Sequence, residues 1–177
     1  MTKDLRGKSW QRLLLFIGRV TIGATFVYAA YQKLKPQIPG FAWSVGSLRV
    51  SLAMFGISID NYRILPPWTV TLVADVLPFI ELVLGLWLIA GLALRFSSLF
   101  SVAATFVFLA VQLSAYLRNM KIPCGCDLIP GEVIGPLSLT IDLVLFLACL
   151  FLTIGSFRSG RSSAQAGSRE FAEQSLA

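Results

Sequence analysis

Residues 68–117 read WTVTLVADVLPFIELVLGLWLIAGLALRFSSLFSVAATFVFLAVQLSAYL. Two apolar runs, Trp68–Leu92 and Phe96–Leu117, are separated by a few residues that include Arg95. Each is long enough to cross a hydrocarbon core as a helix, which takes about 20 residues. So short a connection makes the two helices antiparallel neighbours. Working outward, Leu13–Tyr31 and Leu137–Phe157 are two further runs of spanning length. The expected fold is an all-α integral membrane bundle of four transmembrane helices, at about 13–31, 68–92, 96–117 and 137–157. The membrane domain covers 13–157, between a basic segment 1–12 and a tail 158–177. Trp10, Trp68, Tyr116 and Phe157 fall near span ends, where aromatic rings favour the interface.

The composition agrees. Of 177 residues, 56% are hydrophobic and 14% charged, whereas a soluble domain has nearer a quarter charged. The net charge of +6 flanks apolar runs instead of forming one patch, which argues against nucleic acid. Val27-Tyr28-Ala29 resembles a signal-peptide cleavage site. Arg19 interrupts the apolar core such a peptide needs, so the first span reads as retained.

The basic residues also suggest a topology. Lys3, Arg6, Lys8, Arg12, Arg95, Arg158, Arg161 and Arg169 fall on one side. Lys33, Lys35, Arg49, Arg63, Arg118 and Lys121 are spread over longer loops on the other. That bias places both termini in the cytoplasm of a bacterial inner membrane. Between spans one and two, Pro36 and Pro39-Gly40 break the helix. Phe41, Val45, Leu48, Leu52, Phe55 and Ile59 then recur at helical spacing, with Ser44, Ser47, Arg49, Ser51 and Ser58 between them. This predicts an extracytoplasmic amphipathic helix lying on the outer surface, with a fifth span over 41–59 as the alternative. The Ser-, Gly-, Ala-, Arg- and Glu-rich tail is expected to be disordered. No internal repeat is present.

Candidate chemistry is concentrated in few side chains. There is no histidine, which removes the usual haem, copper and zinc ligand and the usual general base. Cys124-Gly125-Cys126 lies just before the fourth span, facing the oxidising side in this topology. A bridge between residues i and i+2 closes a small strained ring, and strain makes a disulfide labile. Lys121 and Arg118, near in sequence, favour the thiolate. Redox exchange is the leading reading. An inert structural pair and a soft-metal site completed by Met120 remain open, and no metal is assigned. Cys149, on the face of Asp142, reads as a small core residue.

Ionisable groups inside a membrane are costly and pair with one another. Arg19 lies near the cytoplasmic end of span one and Glu81 near the middle of span two, so Arg19–Glu81 is the expected ion pair. A clamp between helices and a role in proton or ligand handling are both open. Asp75, Gln112 and Asp142 are expected to form a second layer at similar depth beneath the cysteines. That layer would either handle protons or hold helices together by hydrogen bonds. Pro78 should kink span two and release the carbonyl of Ala74. Ala74, Pro78, Glu81 and Gly85 share one face of that span, predicted to be interior.

These residues together resemble the DoxX-like group, and especially its MauE-type redox-associated membrane proteins. The resemblance spans about Arg19 to Thr153. It rests on Gly18-Arg19, on Tyr31-Gln32-Lys33-Leu34, and on Tyr62-Arg63-Ile64-Leu65-Pro66. It continues through Leu77-Pro78-Phe79-Ile80-Glu81-Leu82-Val83-Leu84-Gly85 and ends at Cys124-Gly125-Cys126. It implies a four-helix membrane bundle with a part in extracytoplasmic thiol–disulfide metabolism. MauE-type proteins are associated with maturation of a disulfide-rich methylamine dehydrogenase subunit alongside a thioredoxin-like partner. DoxX is associated with a thiosulfate:quinone oxidoreductase. The expected function is therefore a membrane thiol–disulfide relay through Cys124 and Cys126. Its expected partner is thioredoxin-like and its expected electron carrier a quinone, although no residue pattern here is a quinone signature. The alternatives are a non-catalytic anchoring or assembly subunit of a membrane oxidoreductase and a small-solute or metal-ion carrier. The carrier would need a polar path across the whole bundle.

Overall fold

The computed structural model describes residues 2–36, 44–92, 94–124 and 132–174, and side chains within 13–157 apart from Arg95. The described chain is helical. Its elements are α1 (Thr2–Leu34), α2 (Val45–Asp60), α3 (Pro67–Ala90), α4 (Leu94–Leu117) and α5 (Pro136–Gln174). Four segments are long and apolar enough to cross a membrane: Leu13–Leu34, Pro67–Ala90, Phe96–Leu117 and Pro136–Phe157. They follow the runs read from sequence to within a few residues. Large apolar side chains such as Phe79, Ile80, Val83, Phe100, Phe106 and Val144 are exposed around the bundle. That is the arrangement a hydrocarbon solvent favours.

The four long helices form a ring. α1 packs most extensively against α3, and α4 against α5. Smaller contacts between α1 and α5 and between α3 and α4 close the ring. Glycine sets the closest approach. A Cβ on Gly23 would stand 2.8 Å from the carbonyl oxygen of Gly85, and one on Gly85 would stand 2.7 Å from that of Gly23. Such backbone contact between membrane helices requires small residues. It also fixes the antiparallel register of α1 on α3. Ala74, Pro78, Glu81 and Gly85 are all buried, so that face of α3 is interior as expected.

Between spans one and two the chain forms the helix α2. Its buried residues are Ser47, Ser51 and Phe55, while Val45, Val50, Met54 and Ile57 are exposed. The serines face inward because they have hydrogen-bond work there. Ser51 Oγ reaches the carbonyl oxygens of Lys35 at 2.7 Å and Ser47 at 3.1 Å. Ser44 and Ser47 form a reciprocal capping box at the helix start. With 16 residues, or about 24 Å, α2 is not among the four helices of spanning length and composition. At the other end of the chain, α5 runs past Phe157 to Gln174.

Two buried apolar clusters hold the ring together. Ile22, Phe26, Leu88, Cys149 and Leu152 form one. Tyr62, Ala115 and Ile134 form the other, with Val111, Met120, Ile122 and Cys124 packed against it.

Candidate functional site

α1 carries a buried stripe made of Ile22, Phe26, Ala29, Ala30 and Lys33. The spacing is helical, so Lys33 points inward with the rest. Its side chain is only 2% exposed. Its ammonium donates to both oxygens of Glu81, at 3.1 Å to Oε1 and 2.9 Å to Oε2. It also lies over the Phe55 ring, 5.4 Å from the centroid. Glu81 is likewise 2% exposed. A buried carboxylate of this kind requires a partner of opposite charge, and here the partner is Lys33.

The expected Arg19–Glu81 pair is therefore corrected. Arg19 lies against Gly91, where a Cβ would stand 2.5 Å from Nη1. Gly91 is ten residues beyond Glu81 along α3, about 15 Å at the helical rise. That is beyond the reach of an arginine side chain. Gly91 caps α3 in the left-handed conformation, with φ of 76°, and the carbonyls of the last turn end there. A cation at a helix C-terminus is favourably placed. Arg19 also stacks on Phe16, 5.1 Å from the ring centroid.

The second expected layer forms in part. Gln112 on α4 and Asp142 on α5 are buried, at 2% and 4% exposure. Gln112 Nε2 donates a short hydrogen bond to Asp142 Oδ2. The same nitrogen donates to Cys124 Sγ at 3.2 Å. Asp75 is not part of this group. It is exposed on the outside of α3, next to buried Ala74, because the interior face of that helix is the one bearing Ala74, Pro78 and Glu81.

Cys124 is held by its backbone as well. Its N–H donates to the Glu132 carbonyl at 2.8 Å, and the N–H of Ile134 donates to Ile122 at 3.0 Å. An isolated antiparallel bridge pairs Pro123 with Val133. Together these pair residues 122–124 with 132–134. Cys126 lies outside the described residues. Arg118 and Lys121 are exposed. Arg118 donates to the carbonyls of Ser114 at 3.2 Å and Tyr62 at 2.7 Å. The Gln112 amide is thus a donor on the sulfur. Cys149 is 1% exposed and belongs to the other apolar cluster.

A small, partly open cavity lies between the two polar groups. It has about 20 Å³ of water-accessible volume and is lined by residues of all four long helices, including Thr25, Lys33, Glu81, Thr105 and Asp142. That is enough for about one water molecule. The arrangement runs from the sulfur through an amide to a carboxyl group, then across the cavity to an ion pair. Sequence reading missed Lys33 as an interior residue and took it for a loop charge. The signal was present in the i, i+4, i+7, i+11 spacing from Ile22 to Lys33.

The family model for methylamine utilisation protein MauE matches residues 11–155. The chain belongs to the MauE family. The matched stretch holds the greater part of all four membrane spans and, within it, every residue of the site just described. Comparison of this MauE-family chain with curated proteins and with solved structures gave no match. The family and the four apolar helices make it a multi-pass membrane protein.

Proposed function

We propose that this MauE-family protein exchanges thiols and disulfides with an extracytoplasmic protein through Cys124 and Cys126. The observation that carries the reading is the hydrogen bond from buried Gln112 Nε2 to Cys124 Sγ. An amide N–H aimed at sulfur stabilises the thiolate, which is the nucleophile in exchange. In the exchange, Cys124 thiolate attacks a partner disulfide and expels one partner thiolate. Cys126 then attacks the Cys124 sulfur of the mixed disulfide and expels the other. Two cysteine thiols become one disulfide, and the partner's disulfide becomes two thiols.

In this reading both termini face the bacterial cytoplasm and the cysteines face outward, toward a thioredoxin-like partner. Burial of Lys33 supports the topology. With Lys33 and Arg19 inside the bundle, five basic residues remain on the cysteine side against eight on the other. The process served is methylamine utilisation, as the family's description has it, and the likeness to DoxX-like proteins belongs to the same proposal. A membrane quinone is the proposed electron carrier.

The test is alkylation trapping in intact cells and spheroplasts with an impermeant maleimide. Cys124 and Cys126 should label from outside after reductant and resist labelling before it. Labelling that is unchanged by reductant, or that occurs only from the cytoplasmic side, would defeat the proposal.

A second reading, a non-catalytic anchoring or assembly subunit of a membrane oxidoreductase, is favoured by one observation. Asp75 presents a carboxylate on the outer surface of a membrane-spanning helix. Polar groups there suit a partner helix with a donor at the same depth. Full function in a Cys124→Ser, Cys126→Ser double variant, with loss in Asp75→Leu, would favour that subunit role.

A further inference from the structure

We infer that Arg19 binds a phosphate group, and that this phosphate is the headgroup of an anionic lipid at the end of the bundle away from Cys124. The inference does not depend on the exchange reading.

It starts from unspent hydrogen-bond donors. A guanidinium carries five N–H donors and keeps its charge in any protein environment. Lys33, on the same helix, gives its protons to Glu81. Among the described residues Arg19 donates to no protein group, and its Nε is sealed from solvent without an acceptor. Arg19 lies against Gly91 and the Phe16 ring. Those contacts seat the guanidinium and supply no hydrogen bond. The negative end of α3 favours the charge and leaves the donors unused.

No described carboxylate stands at this level. On α3, Gly91 is ten residues from Glu81. On α5, the level is marked by Leu152, whose side chain would stand 3.2 Å from a Cβ on Gly18. Leu152 is ten residues from Asp142. Each acid is thus about 15 Å away along its helix. Asp4 on α1 and Glu170 and Glu173 on α5 are at least fifteen residues further out. A cation at membrane depth needs a counter-charge, and here the chain does not provide one.

A lipid phosphate fits the site. With Nε sealed, the fork presents its two terminal nitrogens. A planar pair of N–H donors matches two phosphate oxygens in parallel bonds. The surroundings are apolar and open. Phe16 is 54% exposed, and Trp87, Leu92 and Phe96 about the α3–α4 turn are exposed as well. Gly91 follows the apolar stretch Pro67–Ala90 directly, so the guanidinium lies where that stretch gives way to headgroups. A lipid there sets its phosphate on Arg19 and its chains on those apolar side chains. A free phosphate has no use for them. Charge selects an anionic lipid. The same end of the helices carries eight further Lys and Arg residues against three acids, and such an excess draws anionic headgroups to basic sites between membrane helices.

The test is native mass spectrometry of the full-length protein in detergent, titrated with phosphatidylglycerol. The first lipid should bind about tenfold more weakly to Arg19→Met, the loss of a charge-assisted contact. Arg19→Lys keeps the charge without the fork and should fall between, so it carries the test if Arg19→Met fails to fold. Gly91→Ala keeps the arginine and displaces it, and should weaken the first site too. Arg49→Met removes an exposed cation from α2 and should leave that site unchanged. Phosphatidylcholine should bind the wild type more weakly than phosphatidylglycerol. First-site affinity that is the same in wild type, Arg19→Met and Arg19→Lys overturns the inference, and is the result for an arginine that merely reaches water. Equal binding of the two lipids overturns the anionic preference. Excess inorganic phosphate should not displace the lipid; displacement would assign the site to a free anion and overturn the lipid as its source.

Discussion

Two of the cations of α1 make a controlled comparison. Arg19 and Lys33 sit on the same helix and lean on the same neighbour, α3. Arg19 is half-buried at the end of α3, against the last-turn backbone and the Phe16 ring. Lys33 is fully enclosed and faces a carboxylate that holds it with two hydrogen bonds. Arg19 has a diffuse partner, the negative end of a helix. Lys33 has a discrete partner, and that partner shares a cavity with Asp142, the first link toward the cysteine. The difference teaches that burial of a charge near a helix end is a packing device, while burial in the bundle centre commits other ionisable groups to the same site.

Substitution can break this comparison at its strongest point. Glu81→Ala leaves the Lys33 ammonium buried and uncompensated, and should cost about 3–5 kcal/mol. The measurement is thermal unfolding in detergent, and a Lys33→Met, Glu81→Met double variant should recover much of the loss. A smaller effect, about 1–3 kcal/mol, is expected from Gly85→Val. Its side chain enters the carbonyl of Gly23 and shifts the register that keeps Lys33 level with Glu81. The same unfolding assay reads it, together with the gain in cysteine alkylation rate that follows from a loosened bundle. Gly91→Ala should cost about 1–2 kcal/mol, because the position is left-handed and the new methyl displaces Arg19. Arg19→Met is the mildest, at about 0.3–1 kcal/mol for a cation at a helix terminus. An Arg19 loss as large as that of Glu81→Ala would erase the distinction between the two sites.

Much of the architecture was legible because four apolar runs of spanning length have one stable outcome in a bilayer. The inner face of α3 was legible for a related reason, since Ala74, Pro78, Glu81 and Gly85 recur at helical spacing. α2 was legible as a helix, but periodicity reports two faces without saying which one turns inward: Ser47, Ser51 and Phe55 are buried there, while Val45, Val50, Met54 and Ile57 face out. The ion pair was misassigned because depth was counted along each span separately. Register depends on where two backbones touch, and that is set by Gly23 and Gly85, a contact between residues far apart in the chain. Asp75 illustrates the same gap, since it was expected at the depth of Gln112 and Asp142 yet is exposed on the outside of α3. The link between Gln112 and Cys124 is tertiary, and no spacing rule reports it.

The ring is built from two close couples, α1 with α3 and α4 with α5, joined by thinner seams. Cys124, Gln112 and Asp142 belong to the second couple and the chain leading out of α4. The ammonium and its carboxylate belong to the first. Sliding one couple past the other would part the two halves of the chemistry without breaking a bond inside either, so a docked protein that pries the seam could switch the cysteine between a supported and an unsupported state.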